Sequence, residues 1–192
     1  MASTLKLLRP LKPWVVTQPF GTNGEYYRAN GIPIKGHNGL DLSATDEQPI
    51  YAAHDGVIMY AGADNRAGLG VVIRTNETYD YNGQEMHFKT IYWHLKSFVV
   101  KYGDKVDPGD LIGYADNTGV SPATHLHFSL KPIFQGEADY LWYNAEDTNG
   151  YLGNVDPTPY LLEEYAQDMK LKIRILRALV ELYKQLISLL KK

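Results

Sequence analysis

Residues 70 to 94 set the architecture of this chain: they read Gly70-Val-Val-Ile-Arg74, then an Asn82-Gly83 pair, then Met86-His-Phe-Lys-Thr-Ile-Tyr-Trp-His94. β-Branched and aromatic residues dominate both runs, which is typical of strands. Asn-Gly is a strong hairpin signal, because both residues tolerate a positive φ. This part of the chain therefore predicts antiparallel strands joined by a tight turn.

The same pattern of short strands and turns continues on both sides. Gly56-Val-Ile-Met-Tyr-Ala-Gly62 follows an Asp-Gly turn signal, and Asp107-Pro108-Gly109 precedes the apolar run Leu111-Ile-Gly-Tyr114. His125-Leu-His-Phe-Ser-Leu130 closes the series. We therefore expect a mainly β protein, with a small antiparallel β-sheet or sandwich domain.

The composition changes after Pro159. Gly and Pro are absent beyond this residue, and apolar residues recur at steps of three or four, which predicts an amphipathic α-helix over 161–192. Residues 161–192 contain seven basic and four acidic side chains, whereas residues 1–160 contain 12 basic and 18 acidic ones. The apolar positions are Leu171, Ile175, Leu179, Leu182, Leu186 and Leu190.

These changes divide the chain into three segments. Residues 1–13 form an N-terminal segment, and residues 14–160 form the main domain, with its motifs in 15–131 and a loop-rich part in 134–159. The basic helix 161–192 follows. Its apolar side either packs on its own domain or self-associates, and as an alternative the helix contacts an anionic membrane or envelope.

The composition excludes several classes of function. The chain has no cysteine, which excludes disulfide scaffolds, thiolate catalysis and Cys-ligated zinc. Its net charge of -3 argues against nucleic acid as a partner, since nucleic-acid binders usually carry a basic surface. No secretory signal peptide is evident, because Lys6, Pro10 and Pro13 interrupt the first apolar run. We expect synthesis in the cytoplasm.

Two histidine clusters and one further histidine carry the chemistry. His37 and Asp41 are four residues apart, and His125 and His127 alternate with apolar residues, so in a strand both imidazoles lie on one face. His94 lies between the clusters in sequence. Two imidazole nitrogens and a carboxylate oxygen suit zinc, and three protein ligands leave one position open for water or substrate.

These histidines and their flanking residues together resemble the lysostaphin-type (LytM-like) zinc endopeptidases, which cut peptide cross-links in bacterial peptidoglycan. The resemblance covers about residues 15–131. The stretches that carry it are His37-x-x-x-Asp41, Tyr92-x-His94-Leu95, Thr124-His-Leu-His-Phe128, Val16-Thr-Gln-Pro-Phe-Gly21, Pro49-Ile-Tyr-Ala-Ala-His-Asp-Gly-Val57 and Gly103-Asp-Lys-Val-Asp-Pro-Gly-Asp-Leu-Ile-Gly113.

The resemblance implies an open groove in the β domain and a role for each site residue. His37, Asp41 and His127 would hold one zinc ion, and His94 and His125 would be catalytic residues that do not bind it. One histidine would act as general base and the other would stabilise the oxyanion, with the order left open. The bond cleaved is also open: a D,D cross-link, a glycine bridge or a bond within the stem peptide.

Two further expectations follow. The chain would act in the cell envelope, after release in the manner of a phage endolysin or after export by another route. It would come either from a phage or from a bacterium, where it would remodel the wall. The competing function is a non-catalytic module that binds peptidoglycan or activates an amidase. The remaining histidines, His54 and His87, are expected at the surface.

Overall fold

A computed structural model describes residues 4–133 and 149–190. Within these residues it contains twelve strands, two α-helices and one short 3-10 helix over Thr158–Tyr160. The elements are β1 (Leu7–Arg9), β2 (Val16–Gln18), α1 (Gly24–Ala29), β3 (Leu40–Ser43), β4 (Pro49–Tyr51), β5 (Gly56–Asp64), β6 (Gly68–Thr75), β7 (Tyr79–Tyr81), β8 (Gln84–Phe98), β9 (Lys105–Val106), β10 (Leu111–Ala115), β11 (His125–Ile133), β12 (Leu161–Tyr165) and α2 (Ala166–Leu190).

One antiparallel sheet organises the domain. Its strands follow the order β2-β3-β11-β8-β6-β5-β9, while β7 and β10 also pair with β8, and β4 pairs with β10. The 15-residue strand β8 lies at the centre and contacts β6 and β11 on its two sides. The prediction of a mainly β, antiparallel fold with a C-terminal helix is confirmed.

Local sequence explains the turns between these strands. Asn82 and Gly83 connect β7 to β8, and their φ angles of 53° and 82° are those required by a tight hairpin turn. Gly109 likewise has a φ of 86° in the turn before β10. The turns at Asn82-Gly83 and Asp107-Pro108-Gly109 lie where the sequence places them, but the first joins the short strand β7 to β8, and not β6 to β8 as the sequence predicts.

The main core lies on one face of the sheet. On β11, Leu126, Phe128 and Leu130 are fully buried, and they alternate with the two histidines of this strand. Tyr92 on β8 packs against Phe128 with ring centroids 5.3 Å apart. Because strand side chains alternate, the opposite face of β11 remains available for polar groups.

The N-terminal segment is part of this core. Leu5, Leu7 and Leu11 are almost completely buried in the main apolar cluster, and β1 pairs in parallel with β12. The predicted helix start at Leu161 is therefore wrong: residues Leu161–Tyr165 form a strand, because pairing with β1 outweighs their local helix preference. The division into three segments stays a prediction.

Replacing Leu7 tests this packing. Leu7→Ala is expected to lower the free energy of unfolding by about 2–5 kcal/mol, because it leaves a cavity at a fully buried position. Val99→Ala is the matched control, since Val99 is 55% exposed and its loss is expected to change stability little. Urea denaturation measures both. Equal effects of the two substitutions would contradict the burial of this segment.

Helix α2 extends away from the sheet. Most of its residues from Leu171 onwards are exposed, and its main neighbour is β12. Among the described residues, no helix combines the length and the apolar character required to span a membrane. Of the predicted loop-rich part 134–159, residues 134–148 lie outside the described residues, and 149–157 contain turns and one isolated bridge at Val155.

The expectation that His54 and His87 lie at the surface is wrong. His87 is half-buried, with Nδ1 3.1 Å from the Thr75 carbonyl. His54 is 4% exposed; its Nδ1 donates to the Asp55 carbonyl at 2.7 Å, and its Nε2 is 2.9 Å from the Thr90 hydroxyl. An adjacent turn motif did not reveal these buried partners.

Burial lowers the pKa of His54, which predicts a pH-dependent stability. The unfolded state, with a histidine pKa of about 6.5, binds a proton before the folded state does, so the free energy of unfolding falls as pH drops below that value. In His54→Gln this part of the dependence should disappear. Urea denaturation of both proteins between neutral and mildly acidic pH measures it, and identical slopes would contradict the prediction.

Candidate metal centre

The centre is built first by a pair of facing residues on adjacent strands. Asp41 of β3 and His127 of β11 are direct partners in the antiparallel register, and His127 Nδ1 is 2.9 Å from Asp41 Oδ1. His125, two residues before His127, projects from the same face, with Nε2 3.5 Å from Asp41 Oδ1. The alternation of β11 thus brings both histidines to one carboxylate, as the sequence predicts.

His37 enters from the loop before β3, which is not extended. Its backbone is fixed by hydrogen bonds in both directions with the segment 21–22: its N–H donates to the Thr22 carbonyl, and its own carbonyl accepts from Gly21. Its side chain is 3% exposed, and Nε2 lies 3.0 Å from both Asp41 Oδ1 and His127 Nδ1. The structure therefore places His37, Asp41 and His127 together.

In His37 and His127, the ring nitrogen that points away from Asp41 shows which ring atom carries the proton. His127 Nε2 is 2.7 Å from Ser129 Oγ, which itself donates to the Asn38 carbonyl, so Nε2 must be the donor. His37 Nδ1 likewise faces the Pro19 carbonyl at 3.4 Å. In the neutral rings, the inner nitrogens of His37 and His127 therefore carry lone pairs and no protons.

Three atoms with lone pairs therefore lie close together, and no proton lies between the imidazoles of His37 and His127. His37 Nε2, His127 Nδ1 and Asp41 Oδ1 are 2.9–3.0 Å apart. Ligand atoms around a tetrahedral zinc ion lie about 3.3 Å apart at its usual bond lengths. A small divalent cation such as zinc fits this donor set, and it would remove the repulsion between the lone pairs.

Electrostatics keep the centre ready for a cation. Burial alone would raise the pKa of Asp41, but the nearby imidazoles of His125, His127 and His37 outweigh it and hold the pKa far below its usual range. Burial also lowers the pKa of His127. At neutral pH the centre therefore presents an ionised carboxylate and a neutral imidazole, the protonation states that metal binding requires.

His94 reaches the centre through an irregularity in β8. Tyr92 pairs with Val71 and Leu95 with Leu69, so Trp93 and His94 together oppose Gly70. This is a β-bulge, and His94 has a φ of 63° there. The bulge shifts the alternation, which lets His94 face the histidines of β11 while Leu95 returns to the core.

Gly70 is required by this bulge. A Cβ at this position would overlap the Trp93 ring, which packs directly over the glycine backbone. The positive φ of His94 and the absence of a side chain at residue 70 are therefore two parts of one local arrangement.

His94 and His125 are each oriented by a backbone carbonyl of the loop between β10 and β11. His94 Nδ1 donates to the Thr118 carbonyl, and His125 Nδ1 donates to the Ala123 carbonyl, each at 2.8 Å. Their Nε2 atoms remain for other partners: that of His125 lies 3.5 Å from Asp41 Oδ1, and the centroids of the two rings lie 4.6 Å apart. Burial lowers the pKa of His94 to about 4. Burial would also lower the pKa of His125, but hydrogen bonds to Asp41 and Ala123 raise it overall.

Sequence reasoning missed the residues that orient these imidazoles. Ser129 supports His127, and Gly39 permits that contact, because a Cβ at residue 39 would clash with Ser129 Oγ and His127 Nε2. Thr118 supports His94. A Ser two positions beyond His127 on the same strand face was the one available signal for the first contact. The chemical roles assigned to the five site residues stay predictions.

Comparison with known proteins identifies the family. The sequence model of the family described as Peptidase family M23 matches residues 35–139, more than half of the chain. The chain belongs to peptidase family M23. All five site residues lie within the matched range, so the M23 assignment and the geometry concern the same part of the molecule.

Two curated relatives extend the M23 assignment. The chain is 37% identical over 94 residues to the peptidoglycan DD-endopeptidase ShyA of Vibrio cholerae, which covers 49% of this chain and 20% of that protein. It is 33% identical over 133 residues to the glycyl-glycine endopeptidase ALE-1 of Staphylococcus capitis, covering 68% of this chain and 30% of that protein. The chain thus spans less than a third of the length of these relatives.

A solved M23 structure shows the same fold. The catalytic domain of lysostaphin from Staphylococcus simulans superposes with a TM-score of 0.51 at 25% identity, covering 83% of this chain and 98% of that domain. The resemblance to lysostaphin-type peptidases is confirmed.

Proposed function

We propose that this chain is a zinc-dependent endopeptidase that hydrolyses peptide cross-links of bacterial peptidoglycan in the cell envelope. The observation that carries the proposal is the convergence of His37 Nε2, His127 Nδ1 and Asp41 Oδ1 within 3.0 Å, beside two further imidazoles. Its M23 relatives are named as endopeptidases of peptidoglycan and of glycyl-glycine bonds, which supports the choice of substrate.

The proposed roles follow from the donor atoms. When bound, zinc supplies a water that ionises near neutral pH and an electrophile for the scissile carbonyl. His94 and His125 keep their Nδ1 protons on backbone carbonyls, so either Nε2 accepts a proton from the attacking water and returns it to the leaving amine. The other ring donates to the developing oxyanion once it is protonated. Together the two rings provide both functions that amide hydrolysis needs.

The competing function, a non-catalytic peptidoglycan-binding or amidase-activating module, has less support. Such a module has no need for an intact metal site or for free imidazoles beside it. In this chain, backbone carbonyls hold the Nδ1 atoms of both His94 and His125, and the two rings lie side by side 4.6 Å apart next to the donor set.

Digestion of purified peptidoglycan tests the proposal. Walls with direct cross-links and walls with glycine bridges are incubated with the zinc-loaded protein, with or without a chelator, and the fragments are analysed by mass spectrometry. We expect new peptide amino termini from at least one wall type, their loss with the chelator and their return with added zinc. Binding without cleavage, or cleavage that the chelator leaves unchanged, would contradict the proposal. The fragment masses also identify the bond.

Thr118 allows a separate test of how His94 is positioned. Its hydroxyl donates to the Leu95 carbonyl at 2.7 Å and accepts from the Leu69 N–H at 3.1 Å, the two residues that pair at one end of the bulge, while its carbonyl holds His94. Thr118→Val is expected to lower kcat by about tenfold or more with little change in KM, because the imidazole shifts from its working position.

Thr118→Ser is the matched control, since it keeps the hydroxyl. We expect it to restore kcat to within about twofold of the unmodified protein. Steady-state kinetics on a soluble cross-link peptide and thermal melting of both variants separate positioning from general stability. Equal loss of kcat in the Ser and Val variants would rule out the hydroxyl as the positioning group.

A further inference from the structure

Helix α2 exposes an unusually large apolar surface. Leu171, Ile175, Leu176, Leu179, Val180, Leu182, Tyr183, Leu186 and Leu189 are each more than half exposed. Soluble monomers rarely expose contiguous apolar patches above a few hundred Å². These nine residues, called the apolar face below, lie on one helix that is anchored to the domain at its start and continues beyond it.

The opposite side of α2 is basic. At 3.6 residues per turn, Arg174, Arg177, Glu181 and Lys184 fall on a narrow polar stripe, and the apolar face covers about 180° of the circumference. Lys172, near the start of the helix, lies within that arc and pairs with Glu164 at 3.5 Å. The acidic side chains of the helix are already paired: Asp168 with Lys12 at 3.1 Å, and Glu181 with Lys184 at 2.7 Å. Within the described part of the chain, Arg174 and Arg177 form no ion pair.

We propose that α2 is a membrane-surface helix that binds an anionic phospholipid bilayer in the plane of its interface. A wide apolar face with cations on the narrow polar side matches such a surface, where apolar side chains enter the acyl boundary and cations contact the headgroups. Cations distributed along the helix at residues 174, 177 and 184 favour an orientation parallel to the bilayer.

Two other possible partners of α2 match only part of its surface. A second copy packed along a two-helix seam would cover Leu179, Leu182 and Leu186 but leave Leu176, Val180 and Tyr183 in water. A soluble polyanion would neutralise the arginines but leave the whole apolar face exposed. A lipid surface is complementary to both sides at once.

The charge distribution also sets the orientation of the domain. Residues 1–165 contain 12 basic and 20 acidic side chains, and residues 166–192 contain seven basic and two acidic ones. An anionic bilayer therefore attracts the helix and repels the domain, which keeps the metal centre away from the lipid. This inference does not depend on the proposed peptidase activity.

Vesicle co-sedimentation of the full chain tests the proposal. We expect binding to vesicles that contain phosphatidylglycerol, weaker binding in high salt, and little binding to pure phosphatidylcholine. Arg174→Glu with Arg177→Glu should weaken binding at least about tenfold, and Leu179→Gln with Leu186→Gln should do the same through the apolar face. The matched control is Lys101→Glu with Lys105→Glu, two exposed cations outside the helix, which should bind as the unmodified chain does.

Three outcomes would overturn the proposal. They are equal binding to neutral and anionic vesicles, equal loss in the control and the arginine variants, and absence of binding. Sedimentation velocity without lipid adds a fourth: a stable oligomer that breaks up in the Leu179→Gln, Leu186→Gln variant would assign the apolar face to a second copy. Near-unchanged peptide hydrolysis by all variants, where activity is present, shows that the folded domain is intact.

Discussion

Asp41→Ala is expected to abolish both zinc retention and wall hydrolysis. The substitution removes the only carboxylate of the donor set and leaves two neutral imidazoles, which hold the cation far more weakly. We expect the bound zinc to be lost after dialysis and the rate to fall at least about a thousandfold, because the several kcal/mol that a metal contributes to catalysis are lost. Elemental analysis of the dialysed protein and release of peptides from purified walls measure the two effects.

Asp46→Ala provides the control for Asp41. Asp46 is an exposed aspartate that pairs with Lys96 at 3.2 Å, outside the donor set. The Asp46→Ala variant should keep both its zinc and its activity. If Asp41→Ala retained stoichiometric zinc, the donor set would be wrong; if it lost zinc but hydrolysed walls at the unmodified rate, the metal would have no part in the reaction.

The second large effect concerns the two histidines beside the donor set. His94→Ala and His125→Ala are each expected to retain zinc and to lower the rate at least about a hundredfold, because proton transfer or oxyanion stabilisation is lost. Zinc content and peptide release are measured as for Asp41. The combination of retained metal and lost rate distinguishes these residues from the ligands.

His87→Ala is the control of the same residue type. His87 is half-buried at the far end of β8 and bonds to the Thr75 carbonyl, so its replacement should leave the rate within about twofold even if it costs some stability. Loss of zinc from His94→Ala or His125→Ala would show that the division into ligands and catalytic residues is wrong. A rate equal to that of His87→Ala would remove them from the mechanism.

The shared face of the two histidines on β11 follows from simple periodicity, whereas the ligand set His37, Asp41 and His127 is implied by the family resemblance and stays a prediction. His125 and His127 share a strand face whatever the details of the sheet, and the buried residues between and after them fix which face is polar. The turn at Asn82-Gly83 is equally local, since it depends on two positive φ angles. Features that depend on nearest neighbours along the chain are therefore accessible from sequence alone.

Other features depend on contacts between distant segments. His94 faces the centre only because β8 contains one extra residue opposite Gly70, a register that the alternation of the sequence does not reveal. The burial of Leu7 depends on pairing with a strand more than 150 residues away. His54 is buried, and its Nε2 lies 2.9 Å from the Thr90 hydroxyl on a strand 36 residues away, a contact that turn rules do not indicate.

The parallel pairing of β1 with β12 has a practical consequence for anyone preparing fragments of this protein. A fragment cut to residues 35–139, the limits of the family match, discards both partners of this pair together with Leu5 and Leu11. The loss would open one side of the core although every site residue is retained. Expression boundaries should instead begin before residue 5 and extend past Tyr165, so that inactivity of a recombinant piece is not mistaken for a defect in its chemistry.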